Sequence, residues 1–140
     1  MTSAEDELVD ALVRTSFEVM RIVTQVAGAH DVSVSQMRVF GILRDNEPRL
    51  SELAEYLGLD RSSVSGLIDR AEQRGLVERR ADAADGRASR VRLTEQGREL
   101  ATLAEREVAA GIAPIVAHVP ARHRATIVGL CGATYPRGAE

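Results

Sequence analysis

The residues of this sequence that offer the most evident chemistry are its arginines. All eighteen basic residues are arginine, and nine of them fall within residues 61–98, where only six residues are acidic. A guanidinium group presents a planar fork of N–H donors that fits phosphate oxygens and the edge of guanine. Residues 1–60 hold five arginines and eleven acidic residues. The net charge of −3 for the whole chain therefore results from an acidic N-terminal part and a basic segment at residues 61–98. That segment favours an anionic partner such as nucleic acid; the alternative is a solvated hairpin in which arginines cluster by chance.

The basic segment begins with a predicted helix that has one apolar side and one small, polar side. Four apolar residues follow the i, i+3, i+4, i+7 spacing of a helix that packs on a core: Val64, Leu67, Ile68 and Ala71. The opposite side carries Ser62, Ser63, Ser65, Gly66, Asp69, Arg70 and Gln73. Short side chains at the start of a helix allow close approach to base edges and phosphates.

Groups that could carry out catalysis or bind metal do not converge in this sequence. The three histidines, His30, His118 and His123, show no metal-ligand spacing with a cysteine or with paired carboxylates. Glycine-rich phosphate loops are also missing from the sequence. We therefore predict no enzyme, no metal site and no cofactor, and we interpret His30 as a helix-end residue that suits the helix dipole.

The single cysteine and the hydropathy pattern indicate the compartment. One cysteine, Cys131, excludes an internal disulfide framework and fits a reducing environment. It lies among apolar residues, which favours an inert thiol over a redox switch. No 18-residue apolar run exists and the first ten residues are acidic, unlike a signal peptide. The sequence predicts a soluble, cytoplasmic protein.

The N-terminal half is predicted to form three helices. Residues 4–29 lack proline, and their apolar stripe is wide enough to be buried on two sides, by their own domain and by a second subunit. Ser33 and Gln36 form a capping box that opens a second helix, which Asn46-Glu47-Pro48 ends. Ser51 is predicted to cap a short third helix that Gly58 ends.

The C-terminal half is predicted to contain one helix before a hairpin and two helices after it. Asp60 caps the fourth helix, the basic one over residues 61–74, and Arg74-Gly75 ends it. Residues 76–80, a turn over 81–86 and residues 87–93 form the hairpin. Thr94 caps a fifth helix, whose regular part we expect to end near Ala110–Gly111 because of Pro114. Pro120 opens a last helix, with disorder expected beyond Ala133.

This order, helix-turn-helix followed by a charged hairpin, is that of a winged helix-turn-helix. The phrases LSELAEYLGLDRSSVSGLIDRAEQRGLVERR (residues 50–80), DGR (residues 85–87) and VRLTEQG (residues 91–97) closely resemble the MarR (multiple antibiotic resistance regulator) family. The resemblance implies a mainly α fold with a small β wing. It implies one MarR-like domain over residues 1–140, a DNA-binding part at 34–97 and dimerisation helices at 4–30 and 95–134.

The family resemblance also implies roles for particular residues. The helix over residues 61–74 would enter the major groove, and Arg87 of the wing would reach the minor groove, held by Asp69. The alternative for Asp69 is a surface contact with Arg70 or Gln73. The DNA-binding set is Arg61, Ser62, Ser63, Ser65, Gly66, Arg70, Arg74, Arg87 and Arg90, with Asp69 and Asp85 orienting the wing. Ala84, Gly86 and Gly66 stand where relatives often carry charged residues, which lowers the expected affinity.

Small aromatic or phenolic anions commonly bind to members of this family between the dimer base and the DNA-binding part. Phe17, Met20, Met37 and Phe40 are candidates to line that space here, with Arg14 or Arg38 offering charge. The alternative is that these apolar residues only form the core.

The sequence thus predicts a dimeric, sequence-specific DNA-binding transcription regulator with a pseudopalindromic operator on double-stranded DNA. It would be a repressor released by a small ligand. The alternative is a winged-helix module that binds a protein and not DNA.

Overall fold

The structure is a computed structural model that describes residues 2–134, with side chains described for residues 2–130. Six helices and two strands follow in the order α1 (Ser3–Ala29), α2 (Val34–Leu43), α3 (Leu50–Leu57), α4 (Arg61–Gln73), β1 (Val77–Ala81), β2 (Ser89–Leu93), α5 (Glu95–Ala117) and α6 (Ala121–Thr134). The predicted class, mainly α with a small β wing, is confirmed. None of the described helices is long and apolar enough to span a membrane.

Side-chain caps begin most of these helices where the sequence predicts them. Ser33, Asp60 and Thr94 each accept a hydrogen bond from the backbone N–H three residues ahead. The prediction that Ser51 caps α3 is wrong, because α3 begins at Leu50 and Arg49 is the residue before it. The Arg49 N–H donates to the Glu52 carboxylate over 3.3 Å, which satisfies the helix start without Ser51.

Glycine ends α3 and α4 where the sequence predicts, whereas α2 ends at Leu43, before the predicted Asn46-Glu47-Pro48, and α5 differs most. Gly58 and Gly75 have φ values of 65° and 71°, the left-handed conformation that ends a helix. The expected end near Ala110–Gly111 is wrong, since α5 continues through Pro114 to Ala117. Proline removes one backbone hydrogen bond, to the carbonyl of Ala110. Ala110 is exposed, so water can satisfy that carbonyl and the helix continues.

The core joins α2, α3, α4 and the wing strands. The most deeply buried side chains are Phe40, Leu43, Leu53, Ile68, Leu76, Val39, Val64, Val77 and Val91, an aliphatic set with one aromatic ring. The predicted inner face of α4 is confirmed, because Val64, Leu67, Ile68 and Ala71 are all buried. In the antiparallel hairpin Val77 pairs with Leu93 and Arg79 with Val91, so β2 also faces the core at Val91 and Leu93.

The contacts where the wing meets α5 account for the threonine and the glycine of the LTEQG segment (residues 93–97). Thr94 donates its hydroxyl to the carbonyl of Gly75 over 2.6 Å, and its N–H donates to the carbonyl of Leu76 over 3.1 Å. Gly97, one turn later, packs directly on this carbonyl. A Cβ atom at Gly97 would lie 1.8 Å from the Leu76 oxygen, so only glycine fits there.

The long helices leave much apolar surface uncovered within the chain. In α1 only Ile22 and Ala27 are buried, while Phe17 is 71% exposed. The other exposed apolar side chains of α1, α5 and α6 are Leu8, Val9, Leu12, Val13, Met20, Leu103, Val116, Ile127, Val128 and Leu130. The chain itself therefore covers only one side of α1, not two. The predictions for the Cys131 side chain and for residues 135–140 lie outside the described residues.

Candidate nucleic-acid interface

The solvent-facing side of α4 is polar and begins at a capped helix end. Asp60 accepts from the Ser63 N–H and from the Ser63 hydroxyl, both over 2.8 Å. The backbone hydrogen bond from Ser63 lowers the pKa of Asp60 below its usual value. Arg61 and Ser62 are exposed beside this cap, and Ser65 and Gly66 are half-buried one turn later. The first two turns thus present short side chains and one guanidinium group to solvent.

Three of the nine arginines of residues 61–98 have guanidinium groups that contact no partner among the side chains described, those of residues 2–130. Arg61 starts α4, Arg70 lies in its third turn and Arg87 lies at the wing tip, and all three are exposed. The remaining arginines of residues 61–98 make ion pairs or donate to carbonyls. A Cβ atom at Gly66 would lie 3.3 Å from Nη1 of Arg70, so the glycine leaves room for that guanidinium.

Two of the predicted DNA-binding arginines are instead bound to the protein. Arg74 donates to the carbonyls of Asp31 and His30 over 2.7 and 3.2 Å, at the end of α1 where helix carbonyls lack partners. Arg90 donates to the carbonyl of Glu47 over 2.8 Å and lies 3.2 Å from the Asp82 carboxylate. Contacts distant in sequence thus already engage both guanidinium groups, and their predicted role in binding DNA stays a prediction.

Asp69 connects α4 to the wing, but through Arg79 rather than Arg87. Its carboxylate accepts from Arg79 over 2.7 Å, and Arg79 also donates to Glu72 over 2.8 Å. Strand β1 runs beside α4, whereas Arg87 lies in the turn beyond the strand. Arg79 was not among the predicted site residues. The period-two spacing of β1, which places Arg79 on the same side as the buried Val77, is the signal that indicates it.

The wing turn is held by two aspartates. Asp85 accepts from the Arg87 N–H over 3.0 Å, a local bond that shapes the tip as expected of a wing-orienting residue. Asp82 is a buried residue that the sequence analysis missed, and its partners are Arg49, Arg90 and the Ala84 N–H. The hydrogen bond from Ala84 and the two arginines lower the pKa of Asp82. No local pattern marks Asp82, since Arg49 lies 33 residues earlier.

A cavity of about 280 Å³ lies between α1, α2 and α5. Its lining is Val23, Met37, Arg38, Phe40, Gly41, Arg44, Ala101, Ala104, Glu105 and Val108. Arg44 pairs with Asp45 and Glu105 at its edge, while Arg38 is exposed with no ion pair among the described residues.

The structure brings together only part of the predicted ligand set. Met37 and Phe40 line the cavity, and Phe40 is at the same time a core residue. Arg14, Phe17 and Met20 do not line it; Arg14 pairs with Asp10 one helical turn earlier over 2.9 Å. They lie on the half of α1 that the chain leaves exposed, because α5 packs only on the later turns.

Metal-binding groups do not assemble in this part of the chain. Among the described residues, no three histidine, cysteine or carboxylate side chains lie close enough to hold a metal ion. His30 instead contacts Glu107 of α5 over 2.8 Å at the end of α1.

Known proteins are similar to this chain in part of its sequence and in its fold. A model of the MarR family matches residues 30–88. The HTH-type transcriptional regulator YfiV of Bacillus subtilis is 35% identical over 71 residues, which are 50% of this chain, and the match spans only 44% of that relative's length.

Two solved structures cover nearly the whole chain. A MarR-family transcriptional regulator from a Rhodococcus species superposes with a TM-score of 0.75 at 25% identity, covering 97% of this chain and 100% of that one. CouR from Rhodococcus jostii, solved with p-coumaroyl-CoA bound, superposes with a TM-score of 0.77 at 26% identity and covers 100% of both chains. Over residues 30–88 the sequence is thus similar to the MarR family, and over nearly its whole length the chain shares the fold of these two structures.

Proposed function

We propose that the chain is a homodimeric, sequence-specific DNA-binding transcription regulator. One observation carries this proposal: among the arginines of residues 61–98, Arg61, Arg70 and Arg87 are those whose guanidinium groups have no partner within the described residues, and they lie on α4 and at the wing tip. Arg61 and Arg70 lie on either side of the small, polar side of α4, where Ser62 and Ser63 are exposed. Phosphate contacts from such arginines position a helix, and the side chains between them contact base edges.

We propose that the second subunit packs against the exposed apolar surface of α1, α5 and α6. The exposed apolar side chains of α1 run from Leu8 to Met20, and those of α5 and α6 include Val116 and Ile127. Contiguous apolar surface of this kind marks an interface in proteins dissolved in water. A two-fold axis through these helices would repeat the α4 surface, so the operator should be a pseudopalindrome with half-sites about 10 bp apart.

We propose that a small ligand releases the protein from DNA by binding in the cavity between α1, α2 and α5. Apolar residues such as Met37 and Val108 form much of its lining, and Arg38 brings an unpaired positive charge. This combination suits an aromatic or phenolic anion. The cavity lies between the helices assigned to dimerisation and the DNA-binding part, so a ligand there would change their relative position. In this role the protein is a repressor that acts in the cytoplasm, where bacterial DNA lies.

Selection of bound duplexes from a random DNA pool at about 100 mM salt tests the proposal, because phosphate contacts persist at that ionic strength. The full chain should enrich a two-fold symmetric site, and sedimentation of the complex should give two chains per duplex. Enrichment of no sequence, with only weak and salt-sensitive binding, would refute the sequence-specific function and leave the protein-interaction alternative. An asymmetric site bound by one chain would refute the dimer alone.

A further inference from the structure

Asp82 is a carboxylate buried at the base of the wing, and none of the predicted DNA contacts uses it. Its side chain is only 3% exposed. Nε and Nη2 of Arg49 both lie 2.6 Å from its Oδ2, and Nε of Arg90 lies 3.2 Å from its Oδ1. The Ala84 N–H donates to the same Oδ1 over 3.1 Å. The carboxylate is covered by the side chains of its two arginine partners, and its charge is compensated by these cations and by the hydrogen bond from Ala84.

The partners of Asp82 belong to elements that are separate in sequence. Arg49 is the residue immediately before α3, the first helix of the helix-turn-helix, and Arg90 lies in β2. The backbone follows the same connection, since the Val91 N–H donates to the carbonyl of Pro48 over 2.9 Å. Nη1 of Arg90 also donates to the carbonyl of Glu47 over 2.8 Å. Asp82 therefore joins the wing to the segment that begins the helix-turn-helix.

The charge balance at this site depends on the carboxylate. Arg49 and Arg90 bring two positive charges to its opposite oxygens. An asparagine in its place has nearly the same shape but no charge, so the two guanidinium groups would face each other without compensation. Their repulsion would act across the contact between β2 and the start of α3.

Arg87 lies in the turn whose ends Asp82 holds. The Asp82 N–H donates to the carbonyl of Ala88 over 2.9 Å, and this bond closes the turn between the two residues. Inside the turn, the Ala84 N–H donates to the Asp82 carboxylate and the Arg87 N–H donates to Asp85. Asp82 thus contacts both the turn that carries Arg87 and the segment that precedes α3.

We propose that Asp82 is a positioning residue for DNA recognition, one that fixes the wing tip and its Arg87 relative to the helix-turn-helix through Arg49 and Arg90. The role rests on the proposed function, because it concerns how Arg87 meets the duplex. It differs from the connection made by Asp69, which ties β1 to α4 at an exposed site. Asp82 itself is too deeply buried to touch DNA.

A double-mutant cycle on the full chain tests this role, with Asp82→Asn, Arg87→Ala and both together, measured on the selected operator. Asp82→Asn should weaken binding about 5- to 150-fold, the range expected for loss of one arginine contact. If Asp82 acts through Arg87, the double variant should bind within about twofold of Arg87→Ala alone. Equal losses from Asp82→Asn in both backgrounds would overturn the proposal, because they indicate a general structural role.

Asp45→Asn is the matched control, since Asp45 is an exposed aspartate that also pairs with an arginine but lies outside the wing. Its operator affinity should equal that of the unmodified chain. If the unmodified chain and this control bind no duplex, the proposed function fails. If both bind and Asp82→Asn binds equally well, only the positioning role fails.

Amide hydrogen exchange measures the wing without DNA. In Asp82→Asn, the amides of Asp82 and Val91 should exchange at least about tenfold faster, while those of Val39 and Ile68 in the core keep their protection. Unchanged exchange in the wing would overturn the proposal. If Asp82→Asn loses core protection as well, Arg49→Gln takes its place in both measurements. This milder variant removes one of the two cations and should again lose its effect when Arg87 is alanine.

Discussion

Replacing Arg87 with alanine should remove a DNA contact that has no counterpart elsewhere in the wing. Its guanidinium group has no internal partner among the described residues, so its loss should leave the fold unchanged. Binding should weaken by about 1–3 kcal/mol if the side chain reaches the duplex. Circular dichroism and thermal unfolding should match those of the unmodified chain.

The number of unpaired arginines in the structure predicts how steeply DNA affinity falls with salt concentration. Arg61, Arg70 and Arg87 have no ion pair within the described residues, so the proposed dimer would bring six such guanidinium groups to DNA. Six phosphate contacts predict a slope of log affinity against log salt of about −5, or a loss of roughly 10³ in affinity between 50 and 200 mM. Without Arg87, four contacts remain, and the slope should fall to about −3.6, with a loss of roughly 150-fold over the same range.

Fluorescence anisotropy of the labelled operator over a salt series measures both quantities. Arg106→Ala is the matched control, because Arg106 is also exposed and makes no ion pair within the described residues but lies on α5. It should keep the affinity and the slope of the unmodified chain. A slope that Arg87→Ala leaves at about −5, or an equal decrease in Arg106→Ala, would refute the assignment of the wing to DNA.

Four further variants test other parts of the structure. Gly97→Ala should destabilise the fold by about 1–3 kcal/mol, because its Cβ would overlap the Leu76 carbonyl, and chemical denaturation measures this loss. Asp60→Asn should flatten the acid dependence of stability: the hydrogen bond from Ser63 lowers the folded-state pKa, so the contribution of Asp60 is complete above its unfolded value of about 4 and is lost as pH falls through the folded-state pKa. Phe17→Asp should leave a folded monomer in sedimentation velocity, since the ring is 71% exposed in the single chain and a charge would be buried in the proposed dimer. Asp69→Ala should weaken DNA binding by less than about 1 kcal/mol, because Arg79 keeps its second carboxylate, Glu72, and exposed pairs contribute little.

Each of these variants has a contrary outcome. Gly28→Ala is the control for Gly97, because nothing lies within 4 Å of its added Cβ; it should stabilise the helix by about 0.5–1 kcal/mol. Equal effects of the two glycine variants would argue against close packing at Leu76. If the urea midpoint falls with acid as much in Asp60→Asn as in the unmodified chain, the Asp60 cap does not contribute to the pH dependence of stability. A dimeric Phe17→Asp would move the interface away from α1, and stronger DNA binding by Asp69→Ala would show that phosphate repulsion outweighs its link to the wing.

The sequence was sufficient for the features that depend on neighbours along the chain. The caps at Ser33, Asp60 and Thr94 and the stops at Gly58 and Gly75 each follow from contacts within four residues. The buried face of α4 follows from helical spacing alone. The predictions of a Ser51 cap and of a helix end before Pro114 were wrong because they depend on the surroundings of these residues in the fold. The Arg49 N–H donates to Glu52 at the start of α3, and the exposed Ala110 tolerates the hydrogen bond that Pro114 removes.

Only the tertiary structure decided which arginines remain available for a partner. The composition of residues 61–98 does not distinguish Arg87 from Arg74 or Arg90, since all three are basic residues in one basic segment. Arg74 meets carbonyls 43 and 44 residues away, and Arg90 meets a carbonyl 43 residues away. Contacts at that separation arise when helices pack, and no local spacing encodes them. The sequence determines that each of these residues carries a positive charge. The tertiary structure determines whether its guanidinium group binds within the protein or remains available to a partner.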